Sequence, residues 1–192
     1  MNVSAIVVSS LLAGMIASAE VPVLGTVKVC VEPGGAMLFI VTQAEAGAGR
    51  MFADIGLKIE WLHSRRDCEA RPEDTIFIRM TRDSPVNSLP GVLAYAMPYE
   101  GAHIVVFYDR IARMADARRQ PHLLAHVLAH EVTHILQAVS RHSDEGVMKA
   151  NWNESDYMQM YWKALLFTPM DVTLIQRGLD ARTSRIALQP RP

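Results

Sequence analysis

His130-Glu131-Val132-Thr133-His134 is the stretch of this chain whose residue types and spacing spell out a chemistry. It reads H-E-x-x-H inside the apolar, helix-patterned run Leu123 to Leu136. Residues four apart share one face of a helix, so both imidazoles can point at a single metal ion. Glu131 stands beside them, placed to take a proton from an attacking water. Burying two histidines and a glutamate on a core helix costs desolvation unless something pairs with them, and a zinc ion would.

Two histidines leave such a site incomplete, because catalytic zinc takes three protein ligands and keeps one position open. The candidates for the third are His142, Glu154, Asp144 and His126. His142 comes twelve residues after His130. On an unbroken helix it would be rotated about 120° and lie about 18 Å along the axis. It can ligate only if the helix stops near Ala138 and the chain folds back, which the polar segment Ser140 to Asp144 allows. Glu154 lies in Asn153-Glu154-Ser155-Asp156, which reads equally well as a helix N-terminus. His126 sits one turn before His130, where packing or a supporting hydrogen bond is its expected role. Tyr157 could contact an oxyanion, although nothing in the sequence requires it. Asp109, Trp152, Tyr161 and Trp162 read as capping or core residues, and His63 and His103 as structural.

An H-E-x-x-H, a downstream histidine and a methionine on the turn Gly146-Val147-Met148 together resemble the metzincin clan of zinc endopeptidases. The stretch HEVTHILQAVSRHSDEGVMKANW is similar, more narrowly, to a family of small secreted bacterial metzincin-like proteins. That similarity runs from about Val27 to Leu179 and includes WLHSRRDC and VVFYDRI. The resemblance implies a zincin fold and a zinc-dependent endopeptidase with one catalytic zinc ion and a protein or peptide substrate. It implies His130, His134 and His142 as metal ligands, Glu131 as general base, and Met148 as the turn methionine beneath the metal. The chain departs from the common pattern H-E-x-x-H-x-x-G-x-x-H. Gln137 replaces the glycine and His142 comes two residues late. The turn therefore falls to Ala138 through Arg141 in a wider loop. Glu154 has the spacing of the third ligand in thermolysin-like gluzincins, twenty residues after His134. His142 is favoured over Glu154, and Asp144 ranks below both. The other reading is an exported zinc-binding protein without protease activity, against which the intact Glu131 argues.

The elements that must position these residues follow from periodicity. Thr26–Val31, Leu57–Leu62, Thr75–Met80, Val92–Met97 and Ala102–Tyr108 alternate or are β-rich, and read as five strands. Ala36–Ile55 carries apolar residues at helical spacing and ends before Gly56. Asp109–Arg119 reads as a helix, and Pro121 fits the first turn of the motif helix, running to about Val139. Asn153 or Ser155 caps a helix to Phe167, and Thr168-Pro169 opens another to Leu179. Arg65–Asp74 and Asp83–Gly91 read as loops, the second along the surface. This order predicts an α+β fold: a mixed, twisted five-stranded sheet, a long backing helix, an active-site helix and a small helical C-terminal subdomain.

The chain has 192 residues, half of them hydrophobic, with net charge -1. That suits one domain with a real core and gives no broad basic excess for nucleic acid. Residues Ile6–Ala19 are apolar and end in Ala17-Ser18-Ala19, so 1–19 reads as an export signal. The run is short for a membrane span. Residues 20–180 then form the catalytic domain, 181–192 a loose tail, and the protein is expected to be secreted or periplasmic, without stable membrane insertion. Two cysteines, Cys30 and Cys68, fit one disulfide in an exported protein.

Overall fold

A computed structural model describes residues 23–85, 91–97 and 102–188. The expected export signal, part of the 83–91 loop and the last four residues lie outside the described residues. Five strands form one sheet in the order β2-β1-β3-β5-β4, with β1 Gly25–Glu32, β2 Leu57–Leu62, β3 Thr75–Thr81, β4 Ala94–Ala96 and β5 His103–Phe107. β1 pairs in parallel with β2 and β3, and β3 with β5. The short β4 runs antiparallel along β5, with Tyr95 opposite Val105, and forms one edge. The sheet is therefore mixed, as predicted.

Alternation within the strands decides which face receives the helices. Val27, Val29, Val31, Leu57, Ile76, Ile78, Met80, Ile104 and Val106 are buried on one side. Lys28, Lys58, Glu60 and Arg79 fall on the other. Helix α1, Leu38–Ala53, packs its buried stripe Ile40, Val41, Ala44, Ala48, Met51 and Phe52 into this core. It begins after Met37 and ends two residues earlier than the apolar periodicity suggests. The turn to β2 is made by Gly56 at φ 81°, a backbone setting that favours glycine.

Other stretches also differ from their sequence reading. Arg65–Asp74, expected as loop, holds the short helix α2, Arg65–Glu69, and a single 3-10 turn. The Ser64 side chain accepts from the Asp67 amide and caps α2, a cap signal hidden among polar residues. α3 is Tyr108–Met114 and stops before the basic pair it was expected to include.

α2 presents Cys68 to β1, and the Cys30–Cys68 disulfide is formed. It closes a loop of 38 residues, and a loop of that length restricts the unfolded chain by about 4 kcal/mol. On the same flank, buried Glu45 of α1 accepts from His63 Nε2 at 2.9 Å. Both contacts pin the β2–α2 corner onto α1 and β1.

The motif helix α4 is Gln120–Gln137, with Pro121 in its first turn. It lies at the centre of the molecule, and every residue from Leu123 to Gln137 is buried. α5, Glu154–Trp162, is capped by Asn153 with a reciprocal Asp156 bond; it ends at Trp162, short of the expected Phe167. α6 is Pro169–Leu188. It runs on well past Leu179, where the sequence was read as a loose tail. No glycine or proline interrupts residues 179–188, and Thr183 and Ser184 bond back to the carbonyls of Leu179 and Asp180. α6 crosses α4 at close range: a Cβ on Gly178 would sit 1.7 Å from the Leu136 carbonyl oxygen. Among the described residues, no helix is long and apolar enough to cross a membrane.

Candidate metal centre

His130 and His134 project from one face of α4 into a cleft between that helix and β4. Their Nε2 atoms are 3.0 Å apart. The other ring nitrogens face backbone carbonyls: His130 Nδ1 lies 2.9 Å from Val147 O, and His134 Nδ1 lies 3.1 Å from Val139 O. A carbonyl can only accept, so each Nδ1 carries the proton and each Nε2 offers its lone pair. Burial pushes the His130 imidazole down to about 4, with His134 adding to the effect. Burial lowers His134 in the same way. Two neutral acceptors thus face one another across 3.0 Å, an arrangement that repels unless a cation lies between them.

The third imidazole arrives because α4 stops where the sequence required. Ala138 adopts φ 52°, ψ 32° and is the sole non-glycine with positive φ among the described residues. A left-handed alanine costs roughly 1–2 kcal/mol. The chain then reverses through Val139–Arg141 and brings His142 over the pair. Its ring centroid is 5.3 Å from that of His130 and 4.9 Å from that of His134. Donor atoms of all three histidines lie within 4.8 Å of one another, the one such cluster among the described residues. Three neutral imidazoles, two buried and one open to the cleft, suit a single zinc ion with a free fourth position.

The other candidates are elsewhere. Glu154 opens α5 and is exposed, and Asp144 is exposed on the returning loop. His126 has both ring nitrogens engaged, Nδ1 with His122 O at 2.7 Å and Nε2 with the Leu165 amide at 3.0 Å. It supports the loop after α5 rather than the metal. His103 stacks on Phe77 on the far face of the sheet.

Glu131 lies beside the histidines and is buried. Burial pushes its carboxyl up to about 8, against a hydrogen bond from the Ala96 amide that favours the charged form. That bond comes from the edge strand. Leu93 O accepts from Phe107 N and Met97 N donates to His103 O, so the odd positions of β4 face β5. By alternation Ala94 and Ala96 turn their main-chain groups toward the cleft. The cleft has a volume of about 520 Å³ and is lined by β4, Glu131, the three histidines, Lys149, Trp152 and Tyr157.

Beneath the centre the chain makes a tight turn. Met148 is fully buried, and its carbonyl accepts from the Ser143 amide at 2.8 Å. Gly146 at φ 75° lets the backbone pass close to the Leu166 carbonyl, which a Cβ would meet at 2.1 Å. Trp152, read from sequence as core or capping, stands edge-on to His130 with centroids 5.5 Å apart. Trp162, given the same reading, is 79% exposed. The participants that sequence reasoning missed are backbone carbonyls, which leave no mark in residue type, and Asp171. Asp171 is fully buried at the start of α6, where it accepts from Arg141 at 2.9 Å and Ser143 at 2.7 Å. Burial alone would raise its carboxyl, but hydrogen bonds from Ser143, Thr168 and Arg141 hold it below the usual range.

By sequence, the chain matches no family model and no curated protein. By structure it is similar to archaemetzincin from Methanopyrus kandleri, with a TM-score of 0.55 at 16% identity, over 81% of this chain and 96% of that one. It is also similar to a zinc-dependent peptidase from Methanocorpusculum labreanum, with a TM-score of 0.52 at 10% identity, over 78% of this chain and 99% of that one. The fold is the one shared with these two proteins. In that fold the sheet, the two packed helices and the returning loop together deliver the three-histidine cluster to the floor of the cleft.

Proposed function

We propose that this protein is an exported zinc-dependent endopeptidase, akin to the small secreted bacterial metzincin-like proteins its sequence resembles. The observation that carries the reading is the convergence of His130, His134 and His142 in a cleft that also holds a buried carboxyl, Glu131. The two structural neighbours support it, one being a zinc-dependent peptidase. The three imidazoles would hold one zinc ion, which supplies Lewis acidity to a water and to a scissile carbonyl. Glu131 takes the proton of the attacking water and passes it to the leaving amine. The Ala96 amide fixes the orientation of its carboxylate. A zinc ion held by the histidines would offset the burial that raises Glu131 and leave the base ionised. An extended polypeptide lies along β4 and pairs with the main-chain groups of Ala94 and the carbonyl of Ala96 that face the cleft. A chain bound this way passes over the three histidines, as cleavage at internal bonds requires.

The purified protein is expected to clear casein in a zymogram, to lose that activity to a zinc chelator and to regain it with added zinc. Zinc bound in equimolar amount with no cleavage of any unfolded protein would favour the non-proteolytic zinc-binding reading. Export belongs to the same proposal. Mature protein recovered from the periplasm or medium is expected to start at Glu20, as read by intact mass. An intact Met1 terminus on a cytoplasmic protein would remove export from it.

A further inference from the structure

We infer that Asp171 is the positioning residue for the third ligand: by gripping Arg141 and Ser143 it aims His142 at His130 and His134. The inference rests on the metal reading of the three histidines. Its basis is a division of labour between the two oxygens of one buried carboxylate. Oδ2 serves the start of α6, accepting from the Thr168 amide at 2.9 Å and the Thr168 hydroxyl at 2.7 Å. The Asp171 amide returns a bond to Thr168 Oγ1 at 3.2 Å, closing a capping box. A helix cap needs nothing more. Oδ1 points away from the cap and accepts from Arg141 Nη1 at 2.9 Å and Ser143 Oγ at 2.7 Å. Those residues stand immediately before and after His142.

The need for such a clamp follows from the sequence. The chain lacks a glycine after the second histidine, and its returning loop is two residues longer than the common pattern. A longer loop held only at its ends would let an exposed imidazole wander. Here the loop is tied at three points. Ser143 N bonds to Met148 O, Oδ1 of Asp171 holds both neighbours of His142, and Gln137 Nε2 donates to the Asp171 carbonyl at 3.2 Å. The last bond joins the end of α4 to the start of α6, so the two anchors of the loop are one rigid unit. Gly178, against the Leu136 carbonyl, permits the close helix contact that this unit needs. Attraction for the metal does not account for Arg141. A cation beside His142 opposes binding of a second cation, so its retention on Asp171 is explained by placement.

The two oxygens can be separated by mutation. Zinc affinity is measured by chelator competition for Asp171→Asn, for the double variant Arg141→Met with Ser143→Ala, and for Thr168→Ala. The first two are expected to bind zinc about 10–100-fold more weakly. Their cobalt-substituted forms are expected to lose the intensity of a tetrahedral visible spectrum. Thr168→Ala, which touches only the cap, is expected to lower the melting temperature and leave zinc affinity unchanged. In a His142→Ala background, Asp171→Asn is expected to have no further effect on affinity. In metal-free protein, hydrogen exchange over residues 139–145 is expected to quicken in Asp171→Asn and not in Thr168→Ala. That arm decides the positioning role even if the wild type proves to bind no zinc or cleave no peptide. An Asp171→Asn effect that persists without His142, or unchanged exchange in the loop, would overturn the inference. If Asp171→Asn does not fold, the milder double variant and its exchange pattern decide alone.

Discussion

Glu131→Gln is expected to reduce peptide-bond hydrolysis by about 10²–10⁴-fold, the range that a positioned general base contributes, while zinc stays bound. The two halves of this expectation come from different parts of the site. Zinc retention follows because the ligand nitrogens belong to His130, His134 and His142, and glutamine removes none of them. Loss of turnover follows because, among the described residues, no other carboxylate lines the cleft. Lys149, the one lysine there, is bound to Asp156 at 2.6 Å and cannot act as a base while charged. Glutamine keeps the shape of the side chain but accepts no proton. The measurement is turnover of an unfolded protein alongside metal content. Activity retained within a few-fold would remove Glu131 from the mechanism.

The same substitution has a signature in the metal-free protein. Burial raises the Glu131 carboxyl to about 8, from 4.5 for an open chain. Between those values the folded state holds a proton that the unfolded state has released. The metal-free wild type therefore loses stability as pH climbs from 4.5 toward 8. His130 contributes with the opposite sign lower down. Its folded value is about 4 against 6.5 unfolded, so its contribution to stability disappears as pH falls from 6.5 toward 4. Glu131→Gln abolishes the first slope and keeps the second, which thermal unfolding across pH reads directly.

Much of this arrangement was legible in the residues, and the parts that were not share a cause. Strands showed because their period is two and one face is buried; β2, Leu57–Leu62, falls where its alternation places it. The pairing of His130 and His134 on α4 showed because a fixed spacing on a helix is a fixed geometry. The stop at Ala138 was required by His142, but its means was hidden, since alanine rarely adopts a left-handed backbone. Tertiary packing holds it there: Gln137 is tied to α6, and the Val139 carbonyl faces His134. Asp171 was invisible for the same reason. An aspartate three residues after Thr168 reads as a helix cap, which it is. Its second oxygen reaches a loop 30 residues earlier in the chain. The length of α6 was underestimated because the sequence beyond Leu179 is polar, and a polar helix has no apolar stripe to reveal it.

His142→Ala and Glu154→Ala are expected to separate completely, and the comparison decides which residue completes the site. Both lie downstream of the motif, Glu154 at the spacing of the gluzincin third ligand and His142 two residues beyond the common metzincin one. They differ in where the fold delivers them. His142 stands above the His130–His134 pair with its ring about 5 Å from each, on a loop that Ser143 and Arg141 anchor. Glu154 is in the first turn of α5, exposed, where a carboxylate is favoured by the helix N-terminus and needs no other purpose. Removing His142 leaves two ligands from one helix. The expected loss of zinc affinity exceeds the roughly 10–100-fold that changes to supporting residues produce, and hydrolysis is expected to fall with it. Removing Glu154 is expected to leave affinity within about two-fold, with at most a few tenths of a kcal/mol lost from the helix terminus. Acid provides an independent check on the donor set. A site of three imidazoles releases zinc as protons compete for nitrogen, each binding site giving up one metal–nitrogen bond per proton taken. Burial lowers all three imidazoles of the metal-free site, so this competition sets in on the acid side of their usual range, and loss of His142 would remove one of the protons exchanged there. Zinc affinity as a function of pH in the wild type and in His142→Ala counts those protons, and an unchanged slope in His142→Ala would transfer the third position to another residue.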